Sequence, residues 1–261
     1  MRINFKNYKR IVVKVGTTSL THKSGKINLK AIENLAWVLT DIKNQGKEVV
    51  LVSSGAIAVG TDRLALNERP RDIIGKQVAS AVGQGVLMQI YESFFSKYNQ
   101  LVAQVLLTKD VFDSEIMHKN AQNTMLKLLS MGVIPIVNEN DTVSTEELQG
   151  FSDNDTLSAY VSNLIGADLL IILSDIDAMY DKDPNKHKDA KKISVINKID
   201  ENILNSAGDS NSSLGTGGMR TKVSCALMLN SADMIIASGS NGAILFDILD
   251  GKDIGTLFLK D

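Results

Sequence analysis

The sequence predicts an α/β fold with a mainly parallel central sheet. Six short apolar runs recur along the 261 residues, and they lack the polar alternation of half-exposed strands. Such runs are typical of strands that are buried on both faces. Longer segments with helical spacing separate the runs, and this alternation of strand and helix is typical of parallel sheets. The runs are IVVKV (11–15), VVLV (49–52), LVAQVLL (101–107), VIPIV (133–137), LLIIL (169–173) and MIIA (234–237).

Helical spacing is clear in three segments, at 29–45, 72–98 and 114–130. In the first segment the apolar residues step by three or four positions, so they share one helix face. The tail at 243–259 is expected to close the sheet with a hairpin or one more strand. The chain has no linker and no repeat at a solenoid period, which predicts a single domain over residues 1–261.

Composition and charge exclude several classes of protein. The formal net charge is −2 and aromatic residues make up 5% of the chain, which favours neither nucleic-acid attraction nor base stacking. The apolar runs are too short to span a bilayer, and the N-terminus lacks the apolar core of a signal peptide. The single cysteine, Cys225, fits a reducing compartment, and the three histidines lack partners at zinc spacing. We therefore expect a cytoplasmic protein with no nucleic-acid or membrane partner.

Two predicted strands end in residues that suit a phosphate or a carboxylate. Lys14 lies inside the first apolar run, where a buried ammonium is costly unless it meets an anion. Gly16 follows, and a missing side chain lets the backbone approach a ligand. The second run leads through Ser53, Ser54 and Gly55 into a helix, whose N-terminal amides bind anions. The structural alternatives are a lysine that extends to solvent and a plain serine cap.

Acidic and amide side chains follow later strands. VNENDTVS places Asp141 after the fourth run, and FSDNDTLSAY places Asn154 and Asp155 at a helix start. One such cluster is usually a helix cap, but two clusters separated by a short loop favour a site for a cationic group, a metal or a second ligand. The fifth run ends in Ser174 and Asp175. Asp175 suits a ribose or an adenine, or it ends the strand in an Asx-turn.

The stretch GTGGMRTK (215–222) has the residues of a phosphate-binding loop without the Walker spacing G-x-x-x-x-G-K-[ST]. Its glycines precede a predicted helix, so free backbone amides would face an anion, and Lys222 lies inside that helix. Together with Lys14, this predicts phosphoryl transfer, which needs positive charge around the transferred group. The chain has no obvious Ser–His or Cys–His pair to activate a nucleophile. An acceptor that is already an anion, such as a carboxylate, would need no base.

Six motifs together resemble the amino acid kinase family, in the same order along most of the chain. They are VVKVGTTSL, VSSGAIAVG, VNENDTV, FSDNDTLSA, LSDIDAMYDKDP and GTGGMRTK. The resemblance implies an open αβα sandwich around a mainly parallel sheet. The motifs are most similar to those of the family members that transfer the γ-phosphate of ATP to the side-chain carboxylate of L-glutamate. That reaction is the first step of proline biosynthesis, and Mg²⁺ bridges the phosphates.

The resemblance also implies a role for each matching residue. Lys14 and Lys222 match the two lysines around the phosphate groups, and Asp155 matches the carboxylate that orients them. The implied glutamate-binding set is Ser54, Asp141 and Asn154. The implied ATP-binding set is Lys14, Ser174, Asp175, Thr216, Gly217, Gly218, Met219, Arg220, Thr221 and Lys222.

Further expectations come from the same resemblance. Members of the family often carry a C-terminal domain of the PUA fold, which we do not expect here. The loop TVSTEELQGFSD (142–153) is slightly longer than the family pattern, and in related enzymes this loop contacts substrate and the inhibitor proline. The expected partners are L-glutamate and ATP, proline as a feedback inhibitor, glutamyl phosphate reductase by functional coupling, and further copies in a homo-oligomer. The metal ligands are not indicated.

Two alternatives stay open at this point. The first is another acceptor on the same fold, namely aspartate, N-acetylglutamate, carbamate or a nucleoside monophosphate, because acceptor choice depends on loops. The second is a non-catalytic amino-acid sensor on a kinase scaffold. Such a protein should have lost a lysine or the orienting aspartate, whereas Lys14, Lys222 and Asp155 are all present.

Overall fold

A computed structural model of the chain describes residues 5–143, 153–184, 186–206 and 218–260. The strands in these ranges are β1 (Arg10–Val15), β2 (Glu48–Ser53), β3 (Val102–Leu107), β4 (Ile134–Glu139), β5 (Leu169–Ser174), β6 (Val195–Ile196), β7 (Asp233–Ser238) and β8 (Thr256–Phe258). The helices are α1 (Thr17–Leu20), α2 (Leu29–Asn44), α3 (Ala56–Arg63), α4 (Ile73–Phe95), α5 (Asp110–Asp113), α6 (Glu115–Ser130), α7 (Asn154–Ile165), α8 (Glu201–Ser206), α9 (Met219–Met228) and α10 (Ile244–Leu249).

The strands of the described residues form one sheet in the order β3-β4-β2-β1-β5-β7-β8-β6. Every neighbouring pair is parallel except β7 with β8, which confirms the mainly parallel sheet. The chain starts in the middle with β1, adds β2, β3 and β4 on one side, and then crosses to β5 on the other. Strand order therefore reverses beside β1. In open α/β sheets, ligands bind beyond the carboxyl ends of the strands at such a switch point.

Side-chain alternation along β1 explains where Lys14 points. Ile11, Val13 and Val15 pack into the core on the side of α2 and α4, whereas Val12 packs on the side of α7 and α9. Because alternate residues of a strand share a face, Lys14 lies on the same side as Val12. It is only 8% exposed. The lysine is therefore directed into the layer of α7 and α9 and does not extend to solvent.

Two expectations about individual strands need comment. The prediction that the run at 101–107 is buried on both faces is wrong, because β3 is an edge strand on which Gln104 is exposed and only Leu107 is buried. An apolar run alone does not distinguish a central strand from an edge strand. The tail forms α10 and then β8, which pairs antiparallel with β7, so the prediction of one more strand is confirmed.

Helices α3 and α4 pack backbone against backbone through two glycines. A Cβ atom added to Gly83 of α4 would lie 1.8 Å from the carbonyl oxygen of Ala56, and one added to Gly60 of α3 would lie 1.7 Å from the carbonyl oxygen of Ala79. Only glycine allows such an approach. The contact holds α4 against α3, which begins directly after the carboxyl end of β2.

We expect Gly83→Ala to lower the free energy of unfolding by about 1–3 kcal/mol or more, because the added methyl group overlaps backbone that cannot move aside. Urea unfolding monitored by circular dichroism measures the change. Gly85→Ala is the matched control, since Gly85 is exposed on the same helix and nothing lies within 4 Å of an added Cβ. That variant should gain about 0.5–1 kcal/mol from helix propensity. Equal losses from both substitutions would contradict the close approach of the two helices.

Candidate active site

Three charged side chains form a buried ion cluster at the carboxyl end of β1. Nζ of Lys14 lies 2.5 Å from Oδ1 of Asp155, and Nζ of Lys222 lies 3.0 Å from Oδ2 of the same carboxylate. The exposed fractions are 8% for Lys14, 1% for Asp155 and 3% for Lys222. Two ammonium groups and one carboxylate leave the cluster with a net positive charge. Such a cluster can accept an anion without the cost of burying that anion unpaired.

Asp155 is ionised in this cluster. Burial by itself raises the pKa of its carboxyl, but the ammonium groups of Lys14 and Lys222 outweigh burial and hold the pKa below its usual range. At neutral pH the carboxylate therefore keeps its negative charge and remains the common partner of both lysines. This arrangement fixes the separation of the two ammonium groups before any ligand binds.

The N-terminal turns of α7 and α9 position Asp155 and Lys222. Asp153 caps α7, and its Oδ1 accepts a hydrogen bond of 2.9 Å from the amide of Thr156. Asp155 lies in the first turn that follows. Lys222 lies in the first turn of α9, whose N-cap is Gly218. Because glycine has no side chain, Gly218 supplies no side-chain cap to the start of α9.

A pocket of about 200 Å³ lies beside the cluster, at the carboxyl ends of β2 and β4. The three residues predicted to bind the acceptor, Ser54, Asp141 and Asn154, all line it. We call this space the acceptor pocket. Ser54 is not the cap of α3, because Gly55 occupies the N-cap position with a φ of 106°, a left-handed conformation that favours glycine.

Asn154 connects the walls of the acceptor pocket. Its Nδ2 lies 2.9 Å from the carbonyl oxygen of Ser53 and 3.0 Å from Oγ of Ser54. The same nitrogen lies 3.0 Å from Oδ1 of Asn138 on β4. The first turn of α7 therefore joins the ends of β2 and β4, and through Asp155 it also joins the ion cluster.

The acceptor pocket presents groups of both charges. Asp141 is mostly buried, and burial raises its pKa, although hydrogen bonding from Ser80 and the charge of Arg69 partly oppose this. Arg69 and Lys76 line the pocket from the loop before α4 and from α4 itself, and both are exposed. An acidic wall and a cationic rim suit a zwitterion that carries an additional carboxylate.

Ten residues that line the pocket are absent from the predicted site set, and five of them carry charged or amide side chains: Arg69, Lys76, Asn138, Glu139 and Asp153. Burial, followed by the charge of Asp155, raises the pKa of Asp153, and its Oδ2 is buried without a hydrogen-bond partner among the described residues. Asn138, Glu139 and Asp153 lie inside the motifs VNENDTV and FSDNDTLSA, so the sequence already indicated them. Arg69 and Lys76 reach the pocket only through the packing of α4 on α3.

The described part of the predicted ATP set lies at the end of β5 and the start of α9. Ser174 is buried, and its Oγ donates a hydrogen bond of 3.0 Å to Oδ1 of Asp175. Met219 to Lys222 form the first turn of α9. Thr216 and Gly217 lie outside the described residues, as does most of the loop at 142–153. The end of β5 adjoins β1, its direct neighbour in the sheet, and α9 reaches the ion cluster through Lys222.

The described residues contain neither a metal-binding cluster nor a membrane-spanning helix. Across the residues that the structure describes, no group of three or more His, Cys, Asp or Glu side chains could hold a metal ion. No helix within the same ranges is long and apolar enough to cross a membrane. Cys225 is buried in α9 and burial raises the pKa of its thiol, so it packs as a small apolar residue and is not a nucleophile.

Comparison with known proteins identifies the family. The model of the amino acid kinase family matches residues 9–238. The chain belongs to the amino acid kinase family. Among curated members, it is 53% identical to glutamate 5-kinase of Clostridium perfringens, over 99% of this chain and 98% of that protein. It is 51% identical to the Enterococcus faecalis enzyme of the same name, over 100% and 98% of the two chains. The Listeria monocytogenes glutamate 5-kinase is 52% identical, over 99% and 95%.

Solved structures confirm the fold of this amino acid kinase. The UMP kinase from Bacillus anthracis superposes with a TM-score of 0.66 at 16% identity, over 97% of each chain. The UMP kinase from Ureaplasma parvum gives the same TM-score at 15% identity, over 97% of this chain and all of that one. At such identities the likeness concerns the fold alone. The predicted sandwich of helices around a mainly parallel sheet is confirmed.

We expect Asp155→Asn to lower the free energy of unfolding by about 3–5 kcal/mol at pH 7, because two buried ammonium groups lose their anionic partner. The folded-state pKa of Asp155 is depressed, so its contribution is present above the unfolded pKa and is lost as the pH falls through the folded pKa. The deficit of the variant in urea unfolding should therefore begin to shrink below about pH 4, the unfolded value, and should disappear only below the folded-state pKa.

Glu33→Gln is the matched control for that substitution. It breaks the exposed pair of Lys97 with Glu33 and should cost at most about 1 kcal/mol at pH 7. A deficit of Asp155→Asn that stayed constant down to pH 2 would show that the charge of Asp155 is not what stabilises the cluster.

Proposed function

We propose that the protein transfers the γ-phosphate of ATP to the side-chain carboxylate of L-glutamate and forms L-glutamyl 5-phosphate. This is the first step of proline biosynthesis. The observation that carries the proposal is that the first turn of α7 belongs to both the acceptor pocket and the ion cluster. Asn154 lines the pocket, and Asp155 pairs with both lysines. Identity of 51–53% to curated glutamate 5-kinases over almost the whole of each chain supports the same reaction.

The ion cluster provides the electrostatics of phosphoryl transfer. We infer that Lys14 and Lys222 lie on either side of the transferred group and neutralise the charge on its equatorial oxygens. Asp155 keeps the two ammonium groups at a fixed separation, so little reorganisation is needed in the transition state. The acceptor carboxylate is already an anion, and therefore the mechanism needs no general base.

L-Glutamate matches the acceptor pocket group by group. Its ammonium would face Asp141, the partly buried carboxylate of the acidic wall. Its α-carboxylate would face the rim formed by Arg69 and Lys76. The side-chain carboxylate would then lie towards Ser54 and the ion cluster, in line with a phosphoryl donor at the start of α9.

The nucleotide would bind between the end of β5 and the first turn of α9. We propose that Ser174, Asp175 and the segment 216–222 bind ATP, with the N-terminus of α9 facing its phosphates. Magnesium in such sites is held mostly by phosphates and water, together with one or two carboxylates. Asp153 is a carboxylate that fits this role, because its Oδ2 is buried without a hydrogen-bond partner among the described residues. When bound, the ion would neutralise charge on the phosphates.

Several expectations accompany the proposed reaction. We propose that residues 1–261 act as one domain, since a single sheet runs through the described ranges. A cytoplasmic location, feedback inhibition by proline, functional coupling to glutamyl phosphate reductase and a homo-oligomer stay predictions from the family resemblance.

The proposed acceptor is tested by trapping the product. Purified protein with ATP, Mg²⁺ and hydroxylamine should form a hydroxamate with glutamate, because hydroxylamine attacks an acyl phosphate. Aspartate, which is one methylene shorter, and N-acetylglutamate, which lacks the ammonium, should give little signal. Chelation of Mg²⁺ with EDTA should abolish the glutamate signal. A hydroxamate formed with another acid instead of glutamate would show that this acid is the acceptor. No hydroxamate with any acid would favour the sensor alternative.

We expect Lys222→Ala to lower kcat by about 10²- to 10³-fold, because one charge that stabilises the transition state is removed. ATP should still bind, which equilibrium titration with a fluorescent ATP analogue can measure. Lys97→Ala removes an exposed lysine that is remote from the acceptor pocket and should leave kcat unchanged. Wild-type turnover by Lys222→Ala would refute the role of this lysine.

A further inference from the structure

Helix α4 carries a stripe of polar side chains on its buried face. Ser80, Gln84 and Tyr91 have exposed fractions of 3%, 8% and 0%. Their spacing of four and seven residues places them on one side of the helix. Burying polar groups is costly unless they form hydrogen bonds. Tyr91 bonds to Ser53 at the carboxyl end of β2, and Gln84 and Ser80 bond to Asn138 and Asp141, at and just beyond the carboxyl end of β4. None of these three residues of α4 belongs to the motifs that carry the family resemblance.

Ser80 holds one oxygen of Asp141. The Ser80 hydroxyl donates a hydrogen bond of 2.6 Å to Oδ2 of Asp141. Hydrogen bonds to ionised acceptors are short and stronger than neutral ones. With Oδ2 occupied, the carboxylate is oriented and Oδ1 can face the acceptor pocket, which Asp141 lines. Ser80 thus acts on the carboxylate that we assign to the substrate ammonium.

Gln84 supports the opposite wall of the pocket through two amides. Its Oε1 accepts a hydrogen bond of 3.0 Å from Nδ2 of Asn138. Oδ1 of Asn138 lies 3.0 Å from Nδ2 of Asn154, which in turn lies 3.0 Å from Oγ of Ser54. A continuous chain of hydrogen bonds therefore runs from α4 to the end of β2. Three residues of this hydrogen-bond network, Asn138, Asn154 and Ser54, line the acceptor pocket.

The close packing of α4 on α3 makes both contacts possible. Gly83 lies between the two polar residues in sequence, and its backbone touches the backbone of Ala56 and Gly60. The hydroxyl of Ser80 is attached directly to Cβ, so it reaches Asp141 only where the backbone of α4 lies this close. The glycine contact and the polar stripe belong to one arrangement that faces the acceptor pocket.

We propose that two buried side chains of α4, Ser80 and Gln84, are positioning residues for the acceptor. This inference rests on the proposed function and deepens it. Ser80 orients Asp141 towards the substrate ammonium, and Gln84 orients Asn138 and Asn154. Neither side chain touches the phosphoryl group. Their loss therefore weakens acceptor binding and leaves the phosphate chemistry almost unchanged.

A double-mutant cycle between Ser80 and Asp141 tests the proposal. Ser80→Ala should raise the KM for glutamate about tenfold, the effect expected for a hydrogen bond to a charged group, with kcat changed less than about threefold. Asp141→Asn should raise KM further. In the Asp141→Asn background, Ser80→Ala should add less than about twofold, because a residue that acts through another loses its effect when that partner is changed. Fully additive effects on KM would overturn the role of Ser80.

Two substitutions that keep the side-chain length test the role of Gln84. Gln84→Met removes the acceptor oxygen and should raise the KM for glutamate by about tenfold, since it leaves a buried amide of Asn138 unpaired. Gln84→Glu keeps an oxygen at that position and should restore much of the binding. Equal KM values for the two variants would show that Gln84 only fills space.

Controls separate positioning from folding and from the proposed function. Thr40→Val removes another buried hydroxyl, which bonds to the carbonyl of Ala36 on α2, and should leave KM unchanged. Free energies of unfolding are measured for every variant. A Ser80→Ala protein that is less stable but has wild-type KM would overturn the proposal.

If wild type phosphorylates a different acid, the proposed function fails, and the same cycle run with that acid still decides the role of Ser80. If no acid is phosphorylated, calorimetric titration with glutamate replaces KM in the cycle.

Discussion

The shared carboxylate of Asp155 is the interaction on which the rest of the structure depends. Two buried ammonium groups would repel each other and would each be costly to desolvate. A single ionised carboxylate between them offsets both costs and ties together β1, α7 and α9. Lys14 of β1 and Lys222 of α9 are more than 200 residues apart in the sequence. The cluster keeps a net positive charge, which a transferred phosphoryl group can use.

The topology of the sheet determines where this cluster lies. Strand β1 is central, and the chain builds outward from it on both sides. The carboxyl ends of β2, β1 and β5 therefore adjoin one another, although they are distant in sequence. Helix α7 begins above this edge and supplies Asn154 to the acceptor pocket and Asp155 to the ion cluster. The first turn of α7 thus connects the acceptor pocket with the ion cluster.

The fold does not determine the acceptor. The UMP kinases share the architecture at 15–16% identity, yet their named substrate is a nucleotide. Specificity instead depends on the side chains around the pocket, as is general for folds that host many functions. Here the pocket combines the partly buried Asp141 with Arg69 and Lys76 at its rim. In the proposed reaction helix α4 acts on this pocket indirectly, because Ser80 and Gln84 hydrogen-bond to Asp141 and Asn138.

The sequence by itself determined the alternation of strands and helices, the mainly parallel sheet, and the motif residues that meet at its edge. Those features depend on local periodicity and on residue types that are unusual in their context, such as Lys14 in a buried strand. Only the tertiary structure decided that β3 is an edge strand and that Asp155 pairs with both lysines. It alone brought Arg69 and Lys76 to the acceptor pocket, and it placed Ser80 and Gln84 behind the pocket against Asp141 and Asn138. These contacts arise from the packing of α4 on α3, and no local pattern records which distant backbone a glycine such as Gly83 will touch.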